Sequence, residues 1–189
     1  METKNETRDK LLEAALTVFN EKGYEHAKVS DIVAMADVSQ GTFYTYFKSK
    51  NECLNIMLKE LLNVFRDELV NDFEKNTESS IYDILKYIKD QIEYQRNVIA
   101  IMNLEQKNIN DEVFILLREV LLEADRIIKN LFEKTGISPH ASQIKAHLAT
   151  GLLKYYQVDN IFVSNPEHRI EKFDFEEMIR ILIDEVDVK

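Results

Sequence analysis

The chain is poor in the residues that interrupt or staple a backbone: its 189 residues include one cysteine, two prolines and four glycines. A single cysteine, Cys53, excludes an internal disulfide framework and fits a reducing compartment. Such scarce proline and glycine, placed mostly near segment ends, predict long uninterrupted helices. No apolar run approaches the ~20 residues that a membrane-crossing helix needs, and the polar start METKNETRDK is unlike a secretory signal. A soluble, cytoplasmic chain with no membrane partner is therefore expected. Signatures of catalysis are missing too. There is no nucleophile elbow, glycine-rich phosphate loop or metal-ligand spacing, so no enzyme, no cofactor and no metal are expected. His140 and His147 share a helical face but stand two turns apart, too far to hold one ion without other ligands. Cys53 reads as a packed thiol, since cysteine is so often buried.

What is present suits a compact helical protein. Forty-five per cent of residues are hydrophobic, ample for a buried core at this length. The net charge of −10 is unevenly spread: residues 1–50 carry 7 Lys+Arg against 8 Asp+Glu, and the remainder 17 against 26. The acid lies downstream, so the field near the N-terminus can differ from the global charge.

The stretch VSDIVAMADVSQGTFYTYFKSKNECL, from Val29 to Leu54, is the most informative part. Val29, Ile32, Val33 and Ala36 follow the spacing of one buried helical face. After a turn at Asp37 and Val38, Ser39 is placed to cap a second short helix. With Phe43 facing inward, Phe47 also faces inward, whereas Gly41, Thr42, Tyr44 and Thr45 face out. That outer face is small, hydroxylic and aromatic, which suits a duplex groove. Gln40 can pair with adenine, Thr42 can reach a base edge or a thymine methyl, and Tyr44 can reach a phosphate, while Gly41 lets the backbone come close.

Thr7 to Tyr24, TRDKLLEAALTVFNEKGY, and DIVAMADVSQGTFYTYFKSKNECL from Asp31 together resemble the N-terminal DNA-binding domain of the tetracycline-repressor (TetR) family. The likeness joins the Arg8 start, the alanine pair and phenylalanine of helix one, Gly23-Tyr24, Asp31-Ile32 and the GTFYTYFKSK run. Two positions depart from the family pattern: Lys28 stands where a Thr or Ser usually opens helix two, and Asp37 where Gly usually makes the turn. Lys28 keeps a phosphate contact and gives up a hydroxyl cap; Asp37 tolerates the left-handed conformation better than most residues.

The remaining helices are read from pattern. Helix one carries Leu12, Ala15, Leu16 and Phe19 and stops at Gly23. Ser49 and Glu52 form a capping box for a connecting helix over 49–75. A helix from Ile81 to Met102 has two apolar stripes, one including Tyr87 and Tyr94. Asn110 caps a helix ending at Gly136, Ser138-Pro139 opens another to about Val163, and a last helix covers 171–186. The expected fold is all-α with about nine helices: a three-helix helix-turn-helix domain over 1–50 and an antiparallel helical bundle over 51–189 for effector binding and dimerisation.

The resemblance implies a transcriptional regulator, most simply a homodimeric repressor of palindromic double-stranded DNA released by a small-molecule effector. The alternative is an effector-independent architectural or division-control factor with the same head. On positions matching the family motif, Gln40, Gly41, Thr42 and Tyr44 face bases and Thr45 and Tyr46 face bases or backbone. For Tyr46, core packing is an equal alternative on pattern grounds. Lys28, Ser30, Ser39, Lys48 and Lys50 hold phosphates. The resemblance also implies that the last two helices pair with their copies in a second subunit; Gly151, about 1 kcal/mol worse than Ala inside a helix, fits close helix approach. Gln95, polar on an apolar stripe, is an effector-pocket candidate, as are Tyr94, Met102, Phe114, His147 and Tyr155. A hydrogen bond to a neighbouring helix is the simpler reading of Gln95, and core packing that of the aromatics.

Overall fold

The computed structural model describes residues 4–74, 80–94, 106–162 and 175–184, in which all regular structure is helical. Eight α-helices follow one another among the described residues: α1 Lys4–Lys22, α2 Val29–Met35, α3 Gln40–Tyr46, α4 Lys50–Leu69, α5 Ile81–Tyr94, α6 Asp111–Lys134, α7 Pro139–Phe162 and α8 Phe175–Asp184. A π turn at Val70–Glu74 continues α4, and a 3-10 turn at Gln106–Asn108 precedes α6.

Helix boundaries fall where the local chemistry places them. Gly23 adopts φ +73° and its N–H donates to the Phe19 carbonyl at 3.0 Å, closing the last turn of α1. Asp37 takes φ +53° in the turn between α2 and α3, the left-handed conformation that Asp accepts better than most residues. The Asn110 side-chain oxygen accepts from Val113 N at 3.0 Å, and Ser138 Oγ accepts from Ala141 N at 3.3 Å. These bonds satisfy amides that would otherwise lack partners at the first turns of α6 and α7. The box at α4 is offset by one residue: Ser49 Oγ accepts from Glu52 N at 3.1 Å, while the Glu52 carboxylate takes the Lys48 amide. A further box, unforeseen in the pattern, opens α5. Ser80 Oγ accepts from Asp83 N at 3.2 Å; the Ser80 hydroxyl at 2.6 Å and then its amide at 2.9 Å donate to the Asp83 carboxylate, which holds that carboxyl below its usual range.

The described residues form two compact units. The first comprises α1 to α3, α4 as far as Asn63, and residues 106–117. Its core joins Leu11, Ala15 and Phe19 of α1 to Ile32 of α2, Phe43 of α3, Phe47 and Leu54 and Leu58 of α4. The Phe43 and Phe47 rings lie 5.2 Å apart. Full burial of each large apolar side chain contributes about 1.5–3 kcal/mol, so this aromatic pair is a principal anchor of the two short helices.

The second unit contains the end of α4, α5, α6 from Arg118, α7 and α8. In it α5, α7 and α8 each touch the other two. Ile81, Ile84, Leu85, Ile88 and Ile92 line the inner side of α5. Lys145 Nζ donates to the Leu182 carbonyl at 2.8 Å, tying α7 to the last turn of α8. Tyr94, on the second stripe of α5, is 83% exposed, and Leu121 of α6 is also turned outward. Each lies beyond the inward arc of its own helix.

Candidate nucleic-acid interface

Helix α3 is held from beneath and capped from its start. Ser39 Oγ accepts from Thr42 N at 3.1 Å and lies 2.9 Å from Thr42 Oγ1. Phe43 is fully buried, and Phe47, the C-cap, is buried beside it. Fixing those residues turns the opposite side outward: Gln40, Gly41, Tyr44 and Thr45 are exposed, and Thr42 and Tyr46 are half-buried. Tyr44 is 56% exposed, a large exposure for a ring on so short a helix. Thr45 Oγ1 donates to the Gly41 carbonyl at 3.0 Å, leaving its lone pairs outward. A Cβ on Gly41 would meet only Ser39 Oγ at 3.6 Å, ordinary contact, so nothing inside the chain demands glycine there. Tyr46 sits with its ring 6.3 Å from that of Phe47, combining packing with a partly open edge.

Helix α2 solves its entry differently from a hydroxyl-capped helix. Lys28, the N-cap, supplies no side-chain acceptor, but Asp31 takes the Lys28 amide at 3.0 Å and pairs with Lys22 at 2.9 Å. Lys22, then the Lys28 amide, hold the Asp31 carboxyl below its ordinary range. An acid in the first turn is also favoured by the helix dipole. The Lys28 ammonium is thereby left outside, and Lys28, Ser30, Ser39 and Lys48 are all exposed.

Lys50 is also engaged within the chain. Its Nζ donates to the Tyr24 and Ala27 carbonyls at 2.6 and 2.9 Å and lies 4.2 Å over the Tyr24 ring. Two of its three N–H groups are therefore used to fasten the turn that leads into α2. Cys53 is fully buried, and burial pushes its thiol up to about 12. A thiol so far from ionisation is a poor nucleophile.

The expected effector residues are less coherent. Gln95 and Met102 lie outside the described residues. Tyr94, Phe114, His147 and Tyr155 are all exposed. His147 has a local partner instead, with Nε2 3.5 Å from Asp125 and 3.3 Å from the Gln143 amide. Gln143 itself donates to Asp125 at 2.8 Å. Pattern reading overlooked both Asp125 and Gln143, because each looked like ordinary helix surface. Among the described residues no group of three His, Cys, Asp or Glu side chains gathers as a metal ion would require, and no helix is long and apolar enough to cross a membrane.

Residues 11–57 match the family model described as bacterial regulatory proteins, tetR family. The chain carries a TetR-family DNA-binding domain. Among curated proteins it is 44% identical over 61 residues to the HTH-type transcriptional regulator YvdT of Bacillus subtilis, covering 32% of this chain and 31% of that protein. It is 24% identical over 179 residues to IcaR of Staphylococcus epidermidis, the negative transcriptional regulator of the biofilm operon icaADBC, covering 94% of this chain and 80% of that one. The YvdT match thus spans about a third of its relative's length, whereas the IcaR match extends through both units. Among solved structures, FadR of Bacillus subtilis in complex with stearoyl-CoA superposes with a TM-score of 0.60 at 20% identity, over 93% of this chain and 95% of that one. That likeness shows a shared all-α fold. The exposed side of α3 lies within the segment that matches the family's DNA-binding domain.

Proposed function

We propose that the chain is a homodimeric repressor of a palindromic operator, released when a small-molecule effector binds its C-terminal region. The observation that carries this reading is the outward face of α3, polar and aromatic above two buried phenylalanines. On it Gln40 reads adenine, Thr42 and Thr45 meet base edges or methyls, and Tyr44 reaches a base or phosphate. Lys28, Ser30, Ser39 and Lys48 hold the backbone, with Lys50 contributing at most one N–H. So few cations per subunit, on a chain of net charge −10, give weak nonspecific affinity. Two heads on one duplex face, a helical turn or a multiple apart, compensate.

A second copy is supported by α7. Ile144, Leu148, Gly151 and Tyr155 recur at helical spacing and are all exposed, with Ile181 exposed on α8. A Cβ on Gly151 would meet nothing within 4 Å, so a glycine costing about 1 kcal/mol against alanine has no explanation among the described residues. A helix from a partner lying across this stripe supplies one. For the effector, the stearoyl-CoA in the FadR structure makes long-chain acyl-CoA thioesters the first class to test.

The experiment is selection of duplexes from a random-sequence pool by the full chain, followed by light scattering of the complex. A palindromic consensus bound by two chains, and loss of binding on adding an acyl-CoA or another metabolite from a screen, is expected. A single chain on an asymmetric site overturns the dimer. Affinity indifferent to every ligand screened favours the effector-independent alternative.

A further inference from the structure

The Gln106–Glu112 segment belongs to the DNA-reading unit although it stands more than fifty residues downstream of α3. It is held there by a cluster of asparagines. Asn55 is 3% exposed, between Leu54 and Leu58 on the buried side of α4, where an apolar residue would serve packing equally well. Its amide nitrogen donates to the Asn108 carbonyl at 2.9 Å and to the Asn51 carbonyl at 2.8 Å. Its oxygen accepts from Asn110 N at 2.7 Å. Asn51 Nδ2 adds a second bond to the Asn108 carbonyl at 2.6 Å.

Two ion pairs flank this cluster. Lys107 meets Glu25, in the turn before α2, at 3.0 Å, and Lys59 meets Glu112 at 2.7 Å. Exposed pairs of this kind contribute little, so the buried amides dominate. Their bonds are directional. Asn55 engages a carbonyl and an N–H two residues apart on the segment, which fixes its register on α4 in a way that apolar packing could not.

We infer that Asn55 is a positioning residue for DNA binding: it locks Gln106–Glu112 against α4 and so braces the turn before α2 and the base of α4 as one body. It does this without touching DNA. The latch holds the spacing between the phosphate-holding Lys28 and Lys48 and the reading face of α3, so its loss loosens the head before it unfolds the protein. The inference rests on the DNA-reading role proposed above.

The test uses the full chain and a duplex selected from a random pool by the wild type. Asn55→Leu keeps the branched shape and removes every bond made by the Asn55 side chain; Asn51→Ala removes two flanking bonds, that of Nδ2 to the Asn108 carbonyl and that accepted by Oδ1 from Asn55. At a temperature where circular dichroism shows each variant fully folded, affinity by fluorescence anisotropy falls by about tenfold or more for Asn55→Leu and by less for Asn51→Ala, as loss of buried hydrogen bonds implies. Unchanged affinity in folded Asn55→Leu, with only a lower melting temperature, overturns the inference and leaves the DNA-reading role standing.

Wild-type hydrogen exchange gives a reading independent of variant folding. Duplex binding slows exchange of the Asn110 and Val113 amides, because a latch that favours binding is itself favoured by it. Exchange at these amides indifferent to duplex overturns the positioning role. A wild type that selects no duplex overturns both readings.

Discussion

Two helices of this chain turn an exposed face outward, and the faces are chemically opposite. On α3 the exposed side is Gln40, Gly41, Tyr44 and Thr45; on α7 it is Ile144, Leu148, Gly151 and Tyr155. Each lies across its helix from a well-buried set, Phe43 in the first and Ala146, Ala149 and Leu153 in the second. The polar face is matched to hydrated base edges and phosphates, which exchange hydrogen bonds with water on release. The apolar face suits a surface that stays dry, as the proposed contact with a second copy would be. One face therefore suits a partner that comes and goes, the other a partner that stays.

The largest effect tests what supports the polar face. Phe43→Ala removes a fully buried ring and is expected to cost about 3–5 kcal/mol, read as a large drop in melting temperature with loss of DNA binding. Breaking the apolar face comes next: Leu148→Glu places a charge in the proposed interface, and light scattering is expected to show monomer while helical content is retained. A persistent dimer would assign the contact to another face. Sharper still is Gln40→Ala, expected to lose about 1–3 kcal/mol of discrimination at one base pair with thermal stability unchanged. A stability loss instead would place Gln40 in the fold and not in the readout.

The smallest effect concerns the base of α2. Asp31 has a carboxyl lowered by Lys22 and the Lys28 amide. A lowered folded-state value means stability that is present above the ordinary carboxylate range and is lost as pH falls through the folded value. Acid titration of the melting temperature is expected to show a slight decline that Asp31→Asn removes.

The two faces were not equally legible beforehand. The α3 face followed from short-range rules: Ser39 as a cap, Phe43 and Phe47 four apart, Gly23 and Asp37 at positive φ. All of these act within a few residues, so a local pattern contains them. The second role of Lys50 was not legible for the opposite reason, since its bonds to Tyr24 and Ala27 depend on a turn more than twenty residues away. The same applies to Asn55, which spacing alone marks as an odd polar residue on an apolar stripe but whose partners at Asn108 and Asn110 only the fold brings near. Effector candidates were the least legible, because aromatic and methionine residues at helical spacing look identical whether they line a core, a cavity or a surface. Tyr94 is on the surface.

The most direct test of the account replaces Gln40, Thr42 and Tyr44 by alanine together and measures affinity for the wild-type-selected duplex by fluorescence anisotropy. With three groups contributing about 1–3 kcal/mol each, the account predicts at least a hundredfold loss in a protein that still melts like the wild type. Equal affinity would contradict it and move the reading face off α3.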